Sequence, residues 1–432
     1  MDSLIKNSIY LMATNLVTSF IGFFFWIFAA RYYTPDDIGM TSAIFSSISL
    51  ISMIGSLGLN RALIYYLPRD DNKNKIIDTC LTTGIISSIF FSIVFILGLK
   101  IWSPELISIL NNFMNITIFM LITVGISFSL LVGATFTAEK RSSLHMVKES
   151  IFHFIKIFPL FIFVSYGTMG ILMSLLIGLL ISIILGMVFL FKIWNYVPKF
   201  KIDPIIKNMA SFSAGNYIAD LLNNLPKLIL PILILNLISV KSAGYFYIAI
   251  MVAGLLYGIS HGISNSFLAE SYEETKFWSN VDKSIRFNMI LLIPGIFMFI
   301  IFGKIVLNIF NPSYGENATV SLIILVVASI PLSLINIYNT IKNAQNDIMS
   351  MIKMNLIVAI ITMSLSILLI RFNIEGIAIS YLIANLIGAI IVINEIERPK
   401  EFTMKLLNDV KKDVRHFTRY ENIENFVFAS KR

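Results

Sequence analysis

The chain has 432 residues, of which 57% are hydrophobic and only 13% charged. So few charges cannot cover the surface of a water-soluble protein this long, which excludes an ordinary soluble enzyme, a disordered chain and a fibrous protein. One cysteine, Cys80, and four histidines leave no room for a disulfide framework or a multi-cysteine metal centre, and a net charge of +8 fits an anionic membrane surface better than nucleic acid.

A membrane-spanning helix takes about 20 mostly apolar residues. Twelve such runs occur, at roughly 8–30, 39–60, 80–99, 114–137, 149–166, 170–191, 210–238, 244–265, 286–303, 318–341, 353–370 and 376–394. They lack the period-two alternation of a membrane barrel, so the expected fold is an all-α polytopic membrane protein. The first run is too long for a cleaved signal sequence and is expected to stay as an anchor. Lys and Arg number 26 in the loops on one side and five on the other, with Lys156 and Lys227 inside spans. Basic loops remain inside, so both termini are expected in the cytoplasm. The outer loops are too short to hold a catalytic domain. Residues 395–432 mix Phe402, Leu406, Val410, Val414 and Phe417 with Lys405, Lys411, Lys412 and Arg415. They read either as a basic amphipathic helix on the inner leaflet or as a solvated topogenic tail.

Displacing the chain along itself lays spans 2–5 on spans 8–11, with Gly39 on Gly244 and Lys148 on Lys353, and one further step lays Gly170 on Gly376. The expected organisation is two parallel-repeat six-helix bundles, 1–198 and 199–394, around a central cavity, followed by the tail.

Charge inside the membrane is costly and usually faces a cavity or a partner. In span 7, Ser213, Asn216, Asp220, Asn223 and Lys227 are spaced 3, 4, 3 and 4, which puts them on one helical face. In span 5, Glu149, His153 and Lys156 share a face. Two readings stand: both stripes line a substrate cavity, or Asp220 pairs with Lys227 and Glu149 with Lys156 as structural ion pairs. The repeat partners of these charges are uncharged, Lys227 falling on Gly22 and Lys156 on Ile361, as expected where a site breaks the symmetry of a scaffold. Span 2 carries Ser42, Ser46, Ser49, Ser56 and Asn60, and span 8 carries Tyr257, His261, Ser264 and Asn265. These stripes suit helix packing as well as ligand contact. His261 and Asp220 are candidates for ion coupling, and His261 equally suits a satisfied hydrogen-bonding role. Arg61 either reaches lipid phosphates or guards a cavity mouth. No P-loop, His-Glu-x-x-His or Asp-x-Asp motif occurs, and no cofactor or metal is expected.

Ala30-Arg31-Tyr32-Tyr33-Thr34-Pro35-Asp36-Asp37-Ile38-Gly39 follows the first span, and Gly58-Leu59-Asn60-Arg61-Ala62-Leu63-Ile64 closes the second. This resembles the N-terminal pattern of the polysaccharide-biosynthesis flippases of the O-antigen type, relatives of multidrug exporters and lipid II flippases. The resemblance implies a V-shaped pair of bundles and a substrate made of oligosaccharide on a polyprenyl (pyro)phosphate. On that reading Lys156 and Lys227 hold the phosphates, Asn, Ser and Tyr side chains meet sugar hydroxyls, and His153, Asn216, Asp220, Asn223 and Arg61 are the further candidate substrate contacts. The expected partners are that substrate and membrane lipids, with the chain a monomer. The alternatives are a drug/cation antiporter of the same superfamily and a polytopic glycosyltransferase or polymerase. No acidic residue lies between Asp2 and Asp36, which departs from the efflux relatives.

Overall fold

The computed structural model describes residues 3–269 and 274–395. Their helices are α1 (Ser3–Tyr32), α2 (Pro35–Gly55), α3 (Leu59–Tyr66), α4 (Lys73–Leu97), α5 (Leu99–Trp102), α6 (Phe113–Ala138), α7 (Ser142–Ile155), α8 (Ile157–Ile162), α9 (Thr168–Trp194), α10 (Ile206–Leu237), α11 (Val240–Ala269), α12 (Glu274–Phe310), α13 (Pro312–Asn317), α14 (Thr319–Val327), α15 (Ser329–Ala344), α16 (Ile348–Leu368) and α17 (Asn373–Glu395). Among the described residues no strand occurs, and eleven helical stretches are long and apolar enough to cross a membrane, α14 and α15 acting as one. The protein is therefore a multi-pass membrane protein. The tail beyond Glu395 lies outside the described residues.

The expected fifth span is not one unbroken helix, and neither are the second and the tenth, which divide into α2 with α3 and α14 with α15. The fifth is split into α7 and α8 at Lys156. Pro159 has no N–H to give the carbonyl four residues back, so the ladder fails at this point. The prolines of α10, Pro226 and Pro231, leave that helix continuous.

The motif after the first span works locally. The Thr34 hydroxyl accepts from the Asp37 amide at 3.1 Å, and Asp37 Oδ2 accepts from the Thr34 amide at 3.2 Å, a capping box that starts α2. Asp37 Oδ1 also accepts from the Thr168 amide at 2.9 Å, tying α2 to the start of α9. The Tyr33 hydroxyl donates to the Leu160 carbonyl at 2.7 Å.

Several backbone features recur at positions that the sequence displacement pairs. Ser239 Oγ accepts from the Ser242 amide at 3.1 Å, at the positions paired with the Thr34–Asp37 cap. Gly167 (φ 54°, ψ −133°) and Asn373 (φ 54°, ψ −144°) are likewise paired, each following a short 3-10 turn. Just beyond them, a Cβ on Gly170 would lie 2.1 Å from the Phe163 carbonyl oxygen, and one on Gly376 would lie 2.0 Å from that of Leu369.

Loops gather at two ends. At one, Arg31 Nε donates to the Ile309 carbonyl at 2.7 Å, the Glu105 amide donates to Asn236 at 3.3 Å, and Gly39 of α2 meets Val240 of α11. At the other, Lys73 pairs with Glu139 at 2.7 Å and Lys75 with Asp203 at 3.1 Å. Here the segment joining α9 to α10 is pinned to α4: Tyr196 donates its hydroxyl to Asp78 at 2.6 Å, and the Lys199 amide donates to the same oxygen at 2.9 Å. Burial and that bond push the Tyr196 phenol well above its ordinary range. The Ile205 amide, then the Lys75 ammonium, hold the Asp203 carboxyl low.

The apolar core differs between the ends. One cluster runs continuously through α1, α2 and α9 into α10, α11, α14 and α17. Toward the Lys73 end the clusters separate. One gathers Leu63, Phe136, Tyr196 and Met209, and the others hold Tyr338 with Met354, and Val281 with Ile337. The described helices thus share one continuous core at the Arg31 end and divide into several clusters at the Lys73 end, where Met209 of α10 joins the cluster of α3.

Candidate functional site

The polar stripe of α10 faces α3. Asp220 Oδ2 receives Arg61 Nε at 2.9 Å and a terminal guanidinium nitrogen at 2.6 Å, and each side chain stays about a third exposed (35% and 37%). Arg61 is thus held by Asp220, and Asp220 pairs with Arg61 rather than with Lys227. The turn before α3 brings the two together. Leu57 and Gly58 take left-handed conformations (φ 50° and 70°), a backbone that glycine adopts without strain. A Cβ on Gly58 would stand 2.7 Å from Cβ of Tyr217 on α10. Around the ion pair, Tyr65 stacks on Phe212 with centroids 4.3 Å apart, and the Tyr217 hydroxyl donates to the Ile54 carbonyl at 3.3 Å.

Further along α10, Lys227 is half-buried, with Nζ 5.6 Å from the ring centroid of Tyr257 on α11. Tyr257 is itself fixed by donating to the Leu325 carbonyl at 2.6 Å. Among the described residues no carboxylate pairs with Lys227. His261, one turn beyond Tyr257, lies within electrostatic range of both Lys227 and Asp220. Asn216 Oδ1 is buried without a hydrogen bond, and Asn223 is half-buried on the same helix. α11 also presents a smooth glycine face: a Cβ on Gly254, Gly258 or Gly262 would meet nothing within 4 Å.

The α7 stripe is arranged differently. Lys156 is buried (4% exposed), with Nζ 4.5 Å from the Phe25 centroid and 4.9 Å from that of Phe152. A Cβ on Gly178 would lie 2.9 Å from Lys156 Cβ, so α9 closes over the stem. His153 sits against Gly22 of α1, its Nδ1 buried without a partner. Glu149 pairs with Lys148 at 2.6 Å and not with Lys156. Among the described residues, no hydrogen bond or ion pair joins Lys156 to Lys227; each packs in a different group of helices.

Lys148 is the residue that the polar-stripe reading passes over. It is fully buried, and beyond Glu149 it donates to the Ser129 hydroxyl at 2.5 Å and the Ser129 carbonyl at 3.2 Å. The signal in the sequence is the adjacent Lys-Glu pair inside a membrane helix. Neighbouring residues project about 100° apart, so the pair escapes a search for i, i+4 faces.

A model of the polysaccharide biosynthesis protein family matches residues 28–317. No curated protein matches the chain in sequence. Among solved structures it is similar to the lipid II flippase MurJ in an inward closed conformation, with TM-score 0.72 and 17% identity over 97% of this chain and 94% of that one. It is similar to an inward-facing multidrug resistance MATE family transporter of the MOP superfamily, with TM-score 0.68 and 12% identity over 95% and 99%. It is also similar to an outward-facing multidrug resistance MATE family transporter of the same superfamily, with TM-score 0.65 and 12% identity over 90% and 93%. At these identities the likeness is one of fold.

Proposed function

The chain belongs to the polysaccharide biosynthesis protein family, and from that premise we propose that it is a flippase for polyprenyl-(pyro)phosphate-linked oligosaccharide. The observation that carries this reading is the pair of cations at the polar stripe of α10, Arg61 held by a partly exposed Asp220 and Lys227 with no described carboxylate. A phosphate there receives charge-assisted hydrogen bonds in a medium where each is stronger than in water. His153, Asn216 and Asn223 supply polar contacts for sugar hydroxyls. Lys156 serves a later step. Its helix ends at its own position, so a turn at the α7–α8 break would carry Nζ out from under Phe25 and Phe152.

The transport cycle is alternating access of the units 1–198 and 199–394, with the polyprenyl tail left in lipid. Both termini are cytoplasmic, because 26 basic residues lie on their side against five on the other. A head group with net negative charge leaving a negative-inside cell gains about 2.3 kcal/mol per charge per 100 mV, which favours export. The chain acts as a monomeric carrier without cofactor chemistry.

A drug/cation antiporter would use Asp220 as its ion site. The Arg61 guanidinium already holds that carboxylate, so a cation has to displace it, whereas an anionic ligand also finds Lys227, which no described carboxylate holds. Thermal unfolding of purified protein separates the two readings. A polyprenyl diphosphate oligosaccharide should raise the unfolding temperature and a lipophilic cation such as tetraphenylphosphonium should not; the reverse pattern would favour the antiporter.

A further inference from the structure

We infer that Asp220 is a built-in stand-in for the substrate's phosphate: it latches α3 to α10 through Arg61, and an incoming phosphate or diphosphate releases the latch by taking Arg61 from it. The inference rests on the flippase reading for the identity of the anion.

Three features of the structure carry it. First, the bond joins the two halves of the chain. Arg61 sits on the short helix α3 and Asp220 on α10, 159 residues later, at the end where the apolar core divides into smaller clusters. Second, the bond is built to be exchanged. Both guanidinium contacts fall on the single oxygen Oδ2, so the carboxylate does not use the two-pronged geometry that makes an arginine pair strong. Both side chains are a third exposed, and ion pairs open to water contribute little. A phosphate offers more charge and more acceptor oxygens to the same fork. Third, a turn of the first half aims Arg61 at α10. The left-handed Leu57–Gly58 turn sets α3 off from α2, whereas the repeat-paired positions in the second half, Gly262 and Ile263, lie inside the unbroken α11. Leu59, Ala62 and Leu63 hold α3 in the core, so the exchange takes place at the side chains of Arg61 and Asp220.

The contacts around the latch set its sensitivity. Tyr65 and Tyr66 against Phe212 form an aromatic seal that closes with the ion pair and parts with it. Lys227, two turns along α10 from Asp220, gives a displaced phosphate a second cation. Asp220, freed from Arg61, is then within reach of His261, the other titratable group beside it on α11.

The test uses full-length protein with Cys80→Ser, Tyr65→Cys and Phe212→Cys, cross-linked by a short bis-maleimide. Farnesyl diphosphate is the probe, with farnesol as the uncharged control. The diphosphate should slow cross-linking severalfold and farnesol should not. Asp220→Asn should slow it without ligand and tighten farnesyl diphosphate binding by about tenfold, because the internal competitor is gone. Arg61→Gln should abolish the diphosphate effect. The exchanged pair Arg61→Asp with Asp220→Arg guards against misfolding: it should restore basal cross-linking. Insensitivity of cross-linking to the diphosphate, or unchanged affinity in a folded Asp220→Asn protein, would overturn the latch. If the parent moves lipid-linked oligosaccharide while cross-linking ignores the diphosphate, the latch alone falls. If the diphosphate opens the latch but no oligosaccharide moves, the flippase reading falls instead.

Discussion

Gly39 and Gly244, which the sequence repeat pairs with each other, touch where α2 crosses α11. A Cβ on Gly39 would lie 1.8 Å from the Val240 carbonyl oxygen, and one on Gly244 would lie 2.4 Å from that of Pro35. The contact is reciprocal, because the displacement that pairs Gly39 with Gly244 also pairs Pro35 with Val240. The neighbours are backbone, which cannot rotate aside. Gly39→Ala and Gly244→Ala should therefore each destabilise the protein by about 1–3 kcal/mol, the usual cost of overpacking. An unchanged unfolding temperature for either variant in detergent would show that the crossing has slack.

Lys148 and Glu149 form the most enclosed ion pair described. Removing one member of such a pair strands the other, which costs about 3–5 kcal/mol when burial is complete. Glu149 is 21% exposed, so water relieves part of that cost. Glu149→Gln should destabilise by about 2–3 kcal/mol, and Lys148→Met with Glu149→Gln together by less than Glu149→Gln alone. A double-mutant cycle read by denaturant unfolding checks this, and additive losses would mean that the pair is uncoupled.

Lys156 presents the opposite case, a buried cation whose described contacts are the faces of two rings. Cation–π contact is worth about 2 kcal/mol when desolvated, less than the cost of removing an ammonium from water. Lys156→Met keeps the stem and removes the charge. It should leave the unfolding temperature equal or higher while cutting transport at least tenfold. Full transport by this variant would make Lys156 a packing residue.

The α10 stripe can be read by chemical labelling. Cysteines at Asn216, Asp220, Asn223 and Lys227 should react with a water-soluble maleimide faster than cysteines at Leu221, Leu225 and Leu228. Equal rates for the two sets would remove the case that one face of α10 borders water.

Much of the fold was legible because lipid imposes a simple rule: about 20 apolar residues per crossing, with basic loops between. The boundaries of α6, α9 and α17 follow it closely, whereas the expected run 39–60 crosses the break between α2 and α3 and the run 80–99 begins seven residues inside α4. The break at Lys156 was harder to see, since the run 149–166 is apolar enough for a span and only Lys156 and Pro159 together interrupt it. The spacing of Asp220 and Lys227 on one face was legible from helical geometry. The partner of Asp220 was not, because Arg61 lies 159 residues away and local periodicity carries no information about long-range pairing. Lys148 escaped for the related reason that its partners, Ser129 on α6 and the next residue in sequence, lie off any single stripe.

Transbilayer movement of a polyprenyl diphosphate oligosaccharide in reconstituted vesicles tests the central claim most directly. Parent protein should move the head group, faster under a potential that is negative on the side it leaves. Lys227→Gln should slow movement at least tenfold and Lys227→Arg less, with all three proteins inserted equally. Failure of the parent to move the lipid, or parent-like movement by Lys227→Gln, would contradict the account.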